Sequence, residues 1–184
     1  MSTQSESTFY SEPLFHEEQR FQQKPLWALM VFFFVIEFAL IVVPLVRIWV
    51  FGETIDGSDR SDPAPVLIGI FVIGILGGLM WLLWNLRLVT EVYREGVRVQ
   101  MIPIHRRVQA YPFDKIAAFE AVTYRPIRDY GGWGIRFGRK GRAFNVRGNK
   151  GVMLQLTDER PLLIGTQRLD EFEAALRSVY PTKP

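Results

Sequence analysis

The sequence predicts a membrane α-helical hairpin of two transmembrane helices, followed by a β-rich domain. In that domain, about seven antiparallel strands are predicted to form a bent sheet or partial barrel that a C-terminal helix caps. Two observations predict this fold class. Long apolar runs are confined to residues 25–51 and 65–89 of the 184-residue chain. From residue 90 to residue 184, apolar residues instead alternate over short stretches that turn residues separate. This second part is long enough for one hydrophobic core.

Both apolar runs are long enough to cross a bilayer. As an α-helix each run spans about 40 Å at 1.5 Å per residue, which exceeds the ~30 Å hydrocarbon core. Neither run carries the polar face that a surface helix of a soluble domain shows. The intervening segment, predicted to be a short external loop, is acidic, whereas arginines lie at the far end of the second run and beyond it: Arg87, Arg94, Arg98, Arg106 and Arg107. By the positive-inside rule we expect an integral protein of the cytoplasmic (inner) membrane with both termini in the cytoplasm.

Polar and small residues inside the two runs are candidates for helix contacts. Glu37 lies in the middle of the first run, where a carboxylate is costly. It is either protonated or hydrogen-bonded within the chain, or it meets a polar group of another subunit. Gly74 and Gly78 form a small-xxx-small pair in the second run, which allows another helix to approach closely. That helix is either the first run or a helix of a partner protein or second copy.

The N-terminal segment, residues 1–24, is predicted to be a cytoplasmic tail that is partly disordered. Its first ten residues are polar and are expected to be disordered. Leu14, Phe15 and Phe21 then stand among polar residues. This part is either an amphipathic segment, at the membrane interface or under the β-rich domain, or a loose tether.

Period-two alternation of apolar and polar residues predicts the strands of the C-terminal domain. The predicted strands cover residues 88–93, 97–101, 107–111, 117–124, 134–137, 142–146, 152–156 and 162–164. A helix at residues 168–180 closes the domain, and Pro181 ends it. The apolar residues that share one face of this helix are Leu169, Phe172, Leu176 and Val179.

Strands followed by a capping helix are the element order of a pleckstrin-homology-like (PH-like) fold. The sequence resembles bacterial and archaeal membrane proteins that combine a two-helix hairpin with a PH-like domain. The stretches that carry the resemblance are Phe15–Phe21 (FHEEQRF) with Trp27, Tyr124–Leu156 (YRPIRDYGGWGIRFGRKGRAFNVRGNKGVMLQL) and Leu162–Phe172 (LLIGTQRLDEF). This family has no established reaction, so the resemblance implies a fold and a topology and no activity.

The main chemical feature of the domain is a basic stretch at residues 131–157, which contains no acidic residue. Its cations are Arg136, Arg139, Lys140, Arg142, Arg147 and Lys150. We expect them to project together from two hairpins, at Gly138–Gly141 and Gly148–Gly151. There they contact either anionic lipid of the inner leaflet or an acidic protein partner, or they form only a solvated surface shaped by membrane electrostatics.

Several function classes lack the residues that they need. The chain has no cysteine, and its two histidines, His16 and His105, lie far apart, so we expect no thiolate chemistry, no metal site and no cofactor. The glycines at 131–134 do not have the GxGxxG spacing of a nucleotide-binding loop. The scattered carboxylates have no nucleophile or base at a catalytic spacing, so we expect no catalytic residue. No nucleic-acid-binding motif is visible, and we expect no nucleic-acid partner.

These observations favour a non-enzymatic, membrane-anchored adaptor or scaffold. Its expected partners are the lipid bilayer and either a protein or further copies of the chain. The contact surface would be the basic stretch, and Glu37, Gly74 and Gly78 would contact another helix. The alternatives are a structural accessory subunit of a larger, for example energy-transducing, membrane complex, and an anionic lipid-binding module.

Overall fold

The computed structural model describes residues 12–21, 23–50, 64–138 and 140–180. It contains two compact units: a helical unit, Gln23–Trp84, and a β-rich unit that joins the segment before residue 23 to the chain from Asn85 onwards. Residues 12–21 are therefore part of the β-rich unit, in keeping with the alternative in which this segment packs with the β-rich domain. The predicted external loop and the first ten residues lie outside the described residues.

The helical unit contains α1 (Lys24–Val50) and α2 (Ala64–Asn85). The helices run antiparallel: the Trp27 and Trp84 rings meet edge to face, with centroids 5.7 Å apart. Further along, Gly69 lies against Ile41, whose Cδ1 atom would be 2.6 Å from an added Cβ. Both helices are long and apolar enough to cross a membrane.

The second helix ends at Asn85, four residues before the end of the predicted run. The apolar residues that follow belong to a strand instead, β2 (Arg87–Val92), in which alternate side chains are buried. The apolar run continues across this change from helix to strand, and hydropathy alone does not distinguish a lipid-facing helix from a buried strand. The sequence therefore did not predict the boundary.

The first sheet has four antiparallel strands in the order β1 (Phe15–Arg20), β2, β3 (Gly96–Ile102) and β4 (Gln109–Pro112). Strand β1 precedes the helices and pairs with β2, which follows them, from Phe15↔Val92 to Arg20↔Arg87. The sequence did not predict β1. Its inward-facing positions include Glu17 and Gln19, so the apolar alternation that identifies a strand is missing.

The second sheet has five strands in the order β5-β8-β9-β7-β6. Their bounds are β5 Ile116–Thr123, β6 Gly134–Gly138, β7 Gly141–Asn145, β8 Lys150–Leu156 and β9 Leu162–Gly165. The β6–β7 hairpin falls between β5 and β8 in sequence but is added to the sheet beside β9. As a result β7 and β9 pair in parallel, an exception to the antiparallel pairing that the sequence predicts for most strands. The described strands form two sheets and no closed barrel.

The C-terminal helix α4 (Leu169–Val179) agrees with the prediction to within one residue at each end. It packs against β8 and also against β1 and β2, so it bridges the two sheets. Its Phe172 is fully buried and stacks on Phe15 of β1, with ring centroids 5.0 Å apart. The other fully buried large side chains include Leu88, Met101, Leu154, Leu162, Leu163, Ile164 and Leu176.

Polar contacts fix β1 to the turn between β9 and α4. The buried Glu17 carboxylate accepts hydrogen bonds from Thr166 Oγ1 at 2.5 Å and from the Gln167 backbone N–H at 2.9 Å. Gln19 Nε2 donates to the Gly165 carbonyl at 2.7 Å. Since a charged, inward-pointing residue discourages pairing with foreign strands, Glu17 also suits an edge strand.

Candidate docking surface

The two turns of the basic stretch lie at opposite ends of the second sheet. The turn at 146–149 is not the predicted hairpin, because the strands that it joins, β7 and β8, are separated by β9. The Gly138↔Gly141 pair closes the β6–β7 hairpin, and β7 runs from there parallel to β9, towards Gly165. Gly151, which follows the other turn, pairs with Gly165. The two turns are therefore separated by the length of β7, about 13 Å at 3.3 Å per residue. The five described cations of the stretch therefore do not project together as the sequence predicted.

Acidic residues just outside the basic stretch pair with two of its cations. Lys140 Nζ lies 3.2 Å from Asp129 Oδ1, and Arg142 forms an ion pair with Glu159. The Arg125 backbone N–H, at 2.9 Å, and then the Lys140 ammonium hold the pKa of Asp129 below its ordinary value. The stretch is therefore less positive as a surface than its sequence suggests.

The other cations of the stretch are dispersed. Arg136 is exposed on β6, and its Nε donates to the Trp133 carbonyl at 2.9 Å. Arg147 and Lys150 are exposed at the opposite turn, where their backbone carbonyls accept hydrogen bonds from Gln167 Nε2 and the Thr166 N–H. Arg139 lies outside the described residues.

A different set of residues forms a groove at the β6–β7 end of the sheet. The short helix α3 (Pro126–Tyr130), the β6–β7 hairpin and the β8–β9 loop enclose about 690 Å³. We call this the hairpin-tip groove; it is lined by Arg128, Asp129, Tyr130, Gly131, Phe137, Gly138, Lys140 and Arg160. Three cations face one carboxylate here, so the groove is positive. The sequence analysis did not single out Arg128 and Arg160, because an acidic or proline neighbour keeps each of them outside the basic stretch.

Local geometry holds α3 beside the hairpin. Pro126 starts the helix, and Gly131 ends it in the left-handed conformation, with φ 74°. Tyr130 is buried against Tyr124, Ala143 and Leu163, and its burial, followed by the nearby Asp129 charge, raises the pKa of its hydroxyl. The hairpin approaches so closely that a Cβ at Gly138 would lie 2.9 Å from the Asp129 carbonyl oxygen. Close packing of α3 against the β6–β7 hairpin therefore forms this side of the groove.

Two large apolar side chains are exposed on the elements that form this groove, and of the two Phe137 lines it. Phe137, on the edge strand β6, is 76% exposed, and Ile127, on α3, is 70% exposed. The other large apolar side chains that are exposed in the described β-rich unit, Leu14, Ile104 and Val108, are all below 50%. Large apolar groups beside charged ones are typical of surfaces that bind a partner.

A second, smaller groove lies along β1. It encloses about 410 Å³ and is lined by His16, Glu17, Glu18, Gln19, Arg20, Arg147, Gln167 and Arg168. Hydrogen bonds within the protein occupy several of its polar groups: Arg168 donates to the His16 carbonyl and pairs with Glu171, whereas Gln19 Oε1 is buried without a partner among the described residues. The contacts of these lining residues stabilise β1.

The glycine pair of α2 does not pack inside the hairpin. A Cβ at Gly74, Gly77 or Gly78 would meet no atom within 4 Å among the described residues, whereas Gly69 is in close contact with α1. Of the two alternatives for Gly74 and Gly78, the open face favours a helix from outside the hairpin. Glu37 is partly exposed on α1.

The described residues contain no group of three His, Asp or Glu side chains that could hold a metal ion. His16 instead lies 3.1 Å from Glu91, and His105 packs edge to face against Phe144. Comparison with protein-family models, with curated proteins and with solved structures found no match to this chain.

Proposed function

We propose that this chain is a non-enzymatic, membrane-anchored adaptor whose PH-like domain binds a protein partner at the cytoplasmic face through the hairpin-tip groove. The observation that carries the proposal is the exposure of Phe137 in that groove beside its cations; the exposed Ile127 stands next to Arg128 on α3. The resemblance to hairpin-anchored PH-like proteins supports the same architecture.

Membrane insertion is the first part of the proposal, and the surface of the helices supports it. The segment Lys24–Pro44 of α1 has none of its residues buried, and Leu67–Asn85 of α2 has 6%. Large side chains such as Phe71 and Leu40 are more than half exposed. A soluble protein rarely exposes an apolar surface of this extent, whereas hydrocarbon is a suitable solvent for it. The acidic intervening segment and the arginines after α2 favour cytoplasmic termini.

The chemistry of the groove indicates the kind of partner. Burying an aromatic side chain that is largely exposed, such as Phe137, contributes roughly 1.5–3 kcal/mol. Arg128, Lys140 and Arg160 around it favour carboxylates. A partner segment with an apolar side chain flanked by acidic residues would satisfy both features, and aromatic residues with arginines are the usual centres of binding energy.

Purification of the intact protein from its native membranes, followed by quantification of the retained proteins, tests the partner. Phe137→Ala combined with Ile127→Ala should remove a stoichiometric partner, and Arg128→Gln with Arg160→Gln should weaken its retention. The matched controls, Leu14→Ala and Arg94→Gln, change an exposed apolar residue and an exposed arginine elsewhere on the same unit. If both groove variants retain the partners of the unmodified protein, the groove is not the docking surface.

A second candidate, a structural accessory subunit or self-assembling protein, is favoured by the open glycine face of α2. A helix that packs there would bury Gly74 and Gly78 at short interhelical distance. Native mass measurement after gentle detergent extraction separates the candidates: a subunit stays with stoichiometric neighbours, and Gly74→Leu with Gly78→Leu should release it. Ile70→Leu, on the same helix, is the control. A protomer mass for the unmodified chain would exclude this candidate.

A further inference from the structure

The loop between β3 and β4, residues 103–108, leaves the first sheet at the end where the chain departs for the helices and returns from them. Arg20 pairs with Arg87, and Arg87 pairs with Ile102 on its other side. Just beyond this row of paired residues, the Phe21 N–H donates to the Leu86 carbonyl at 3.1 Å. Three strands of the sheet therefore end together at the two junctions with the helical unit.

Short connections join this end of the sheet to the two helices. Three residues lie between the end of β1 at Arg20 and the start of α1 at Lys24, and one residue lies between the end of α2 at Asn85 and Arg87. At no more than about 3.6 Å per Cα-to-Cα step, these connections reach at most ~14 Å and ~7 Å. If α1 and α2 cross a bilayer, the connections tether this end of the sheet to its surface, and the 103–108 loop leaves the sheet at the same end.

The loop has the composition of a segment that binds a membrane surface. Ile104 and Val108 are 49% and 46% exposed, and Arg106 and Arg107 between them are exposed as well. The structure gives neither arginine an acidic partner among the described residues. By contrast, Arg20 and Arg87, which pair with each other at the end of the sheet, share the Glu18 carboxylate. Arg20 Nε and Arg87 Nη1 each lie 3.3 Å from one of its oxygens. No acidic residue occurs between residues 96 and 113.

His105 holds the loop in this orientation. Its backbone N–H donates to the Met101 carbonyl at 2.7 Å, and its carbonyl accepts from Gln100 Nε2 at 3.1 Å. Its ring turns inward, where Nδ1 lies 3.3 Å from the Met101 N–H and the ring packs against Phe144. Because His105 points inward, its neighbours face solvent, and the loop needs little further ordering to bind.

We propose that the 103–108 loop docks the β-rich unit onto the anionic surface of the bilayer that holds the helices. Ile104 and Val108 enter the headgroup region, and Arg106 and Arg107 contact lipid phosphates. The proposal rests on the membrane insertion of α1 and α2 in the proposed function, and it does not involve the hairpin-tip groove. Docking through this loop would fix the orientation of the β-rich unit and so the direction in which that groove faces the cytoplasm.

The chain contains no cysteine, so a single introduced cysteine can carry a fluorescent label. The full-length protein with Ile104→Cys, labelled with an environment-sensitive dye, would be reconstituted into vesicles of equal parts phosphatidylcholine and phosphatidylglycerol. We expect quenching by a headgroup-level nitroxide lipid and protection from aqueous iodide. Leu14→Cys is the matched control: Leu14 is similarly exposed but lies at the opposite end of β1, and its label should be accessible to iodide.

The ratio of protected to accessible label measures docking. Arg106→Gln and Arg107→Gln should each lower it about fivefold, and both together about 30-fold, by the usual attraction of one arginine to an anionic surface. Vesicles of phosphatidylcholine alone should give a similar loss. Arg94→Gln, in the turn at the other end of β2, should leave the ratio unchanged. Equal iodide access at positions 104 and 14 in both kinds of vesicle would overturn the proposal.

A third label distinguishes the failure of docking from the failure of membrane insertion. Leu40→Cys places the dye within α1, where an acyl-chain nitroxide should quench it. Quenching at position 40 without protection at position 104 would refute loop docking and leave the anchored adaptor standing. Iodide access at position 40 would refute membrane insertion, and both proposals would fail with it.

Discussion

Removal of the Glu17 carboxylate should detach β1 from the rest of the β-rich unit. This carboxylate is 6% exposed and accepts two hydrogen bonds, from Thr166 Oγ1 at 2.5 Å and the Gln167 N–H at 2.9 Å. A hydrogen bond to a charged acceptor contributes about 1.5–3 kcal/mol. At the lower value for each bond, Glu17→Ala should cost about 3 kcal/mol.

Hydrogen exchange of the detergent-solubilised full-length chain, read by mass spectrometry on a peptide that covers β1, measures this cost locally. A loss of about 3 kcal/mol should make the β1 amides exchange about 100-fold faster, because exchange follows the free energy of local opening. Glu18→Ala is the matched control on the adjacent residue. The Glu18 ion pairs with Arg20 and Arg87 lie at the surface, where such pairs contribute about 0–1 kcal/mol.

The reasoning is refuted if Glu17→Ala speeds β1 exchange no more than Glu18→Ala does. Thr166→Val offers an internal check, because it removes one of the same hydrogen bonds with little change of shape. The effects of Glu17→Ala and Thr166→Val should therefore sum to more than the effect of the double variant, as residues of one hydrogen-bond network do.

Two further predictions concern single residues of the same unit. Burial lowers the pKa of His105 below its ordinary value of about 6.5, so the folded protein favours the neutral ring. The contribution of the neutral ring to the free energy of unfolding is complete above pH ~6.5 and is lost as the pH falls through the lowered pKa. Melting temperatures measured from pH ~8 to pH ~5 should fall more steeply for the unmodified chain than for His105→Gln, and parallel curves would contradict this. Gly141→Ala should lower the free energy of unfolding by at least about 3 kcal/mol, since φ is 114° and the added Cβ would lie 2.0 Å from the Pro161 carbonyl oxygen. Gly131→Ala, at φ 74° with no neighbour within 4 Å, should cost only about 1–2 kcal/mol, and equal losses in denaturant unfolding would refute the steric argument.

Local patterns in the sequence were sufficient to predict most of the elements. The two apolar helices, eight of the nine described strands and the C-terminal helix each follow from a period or a run that lies within one segment. The short helix α3 was not predicted, since five residues are too few to show helical periodicity. Membrane insertion, the PH-like identity and the cytoplasmic termini stay predictions.

Pairing between distant segments was decided by the tertiary structure. Strand β1 is held by Thr166 and Gln167, about 150 residues away, through the Glu17 carboxylate, and by Gly165 through Gln19. These two inward-facing polar side chains interrupt the apolar alternation by which a strand is predicted from sequence. The insertion of the β6–β7 hairpin beside β9 separated cations that are close in sequence and brought Arg128 and Arg160 together at one groove. Hydropathy and periodicity are properties of one segment, whereas strand order and charge pairing are properties of two. The sequence by itself therefore determined most of the elements, and only the tertiary structure decided the place of β1 and which surfaces the elements build.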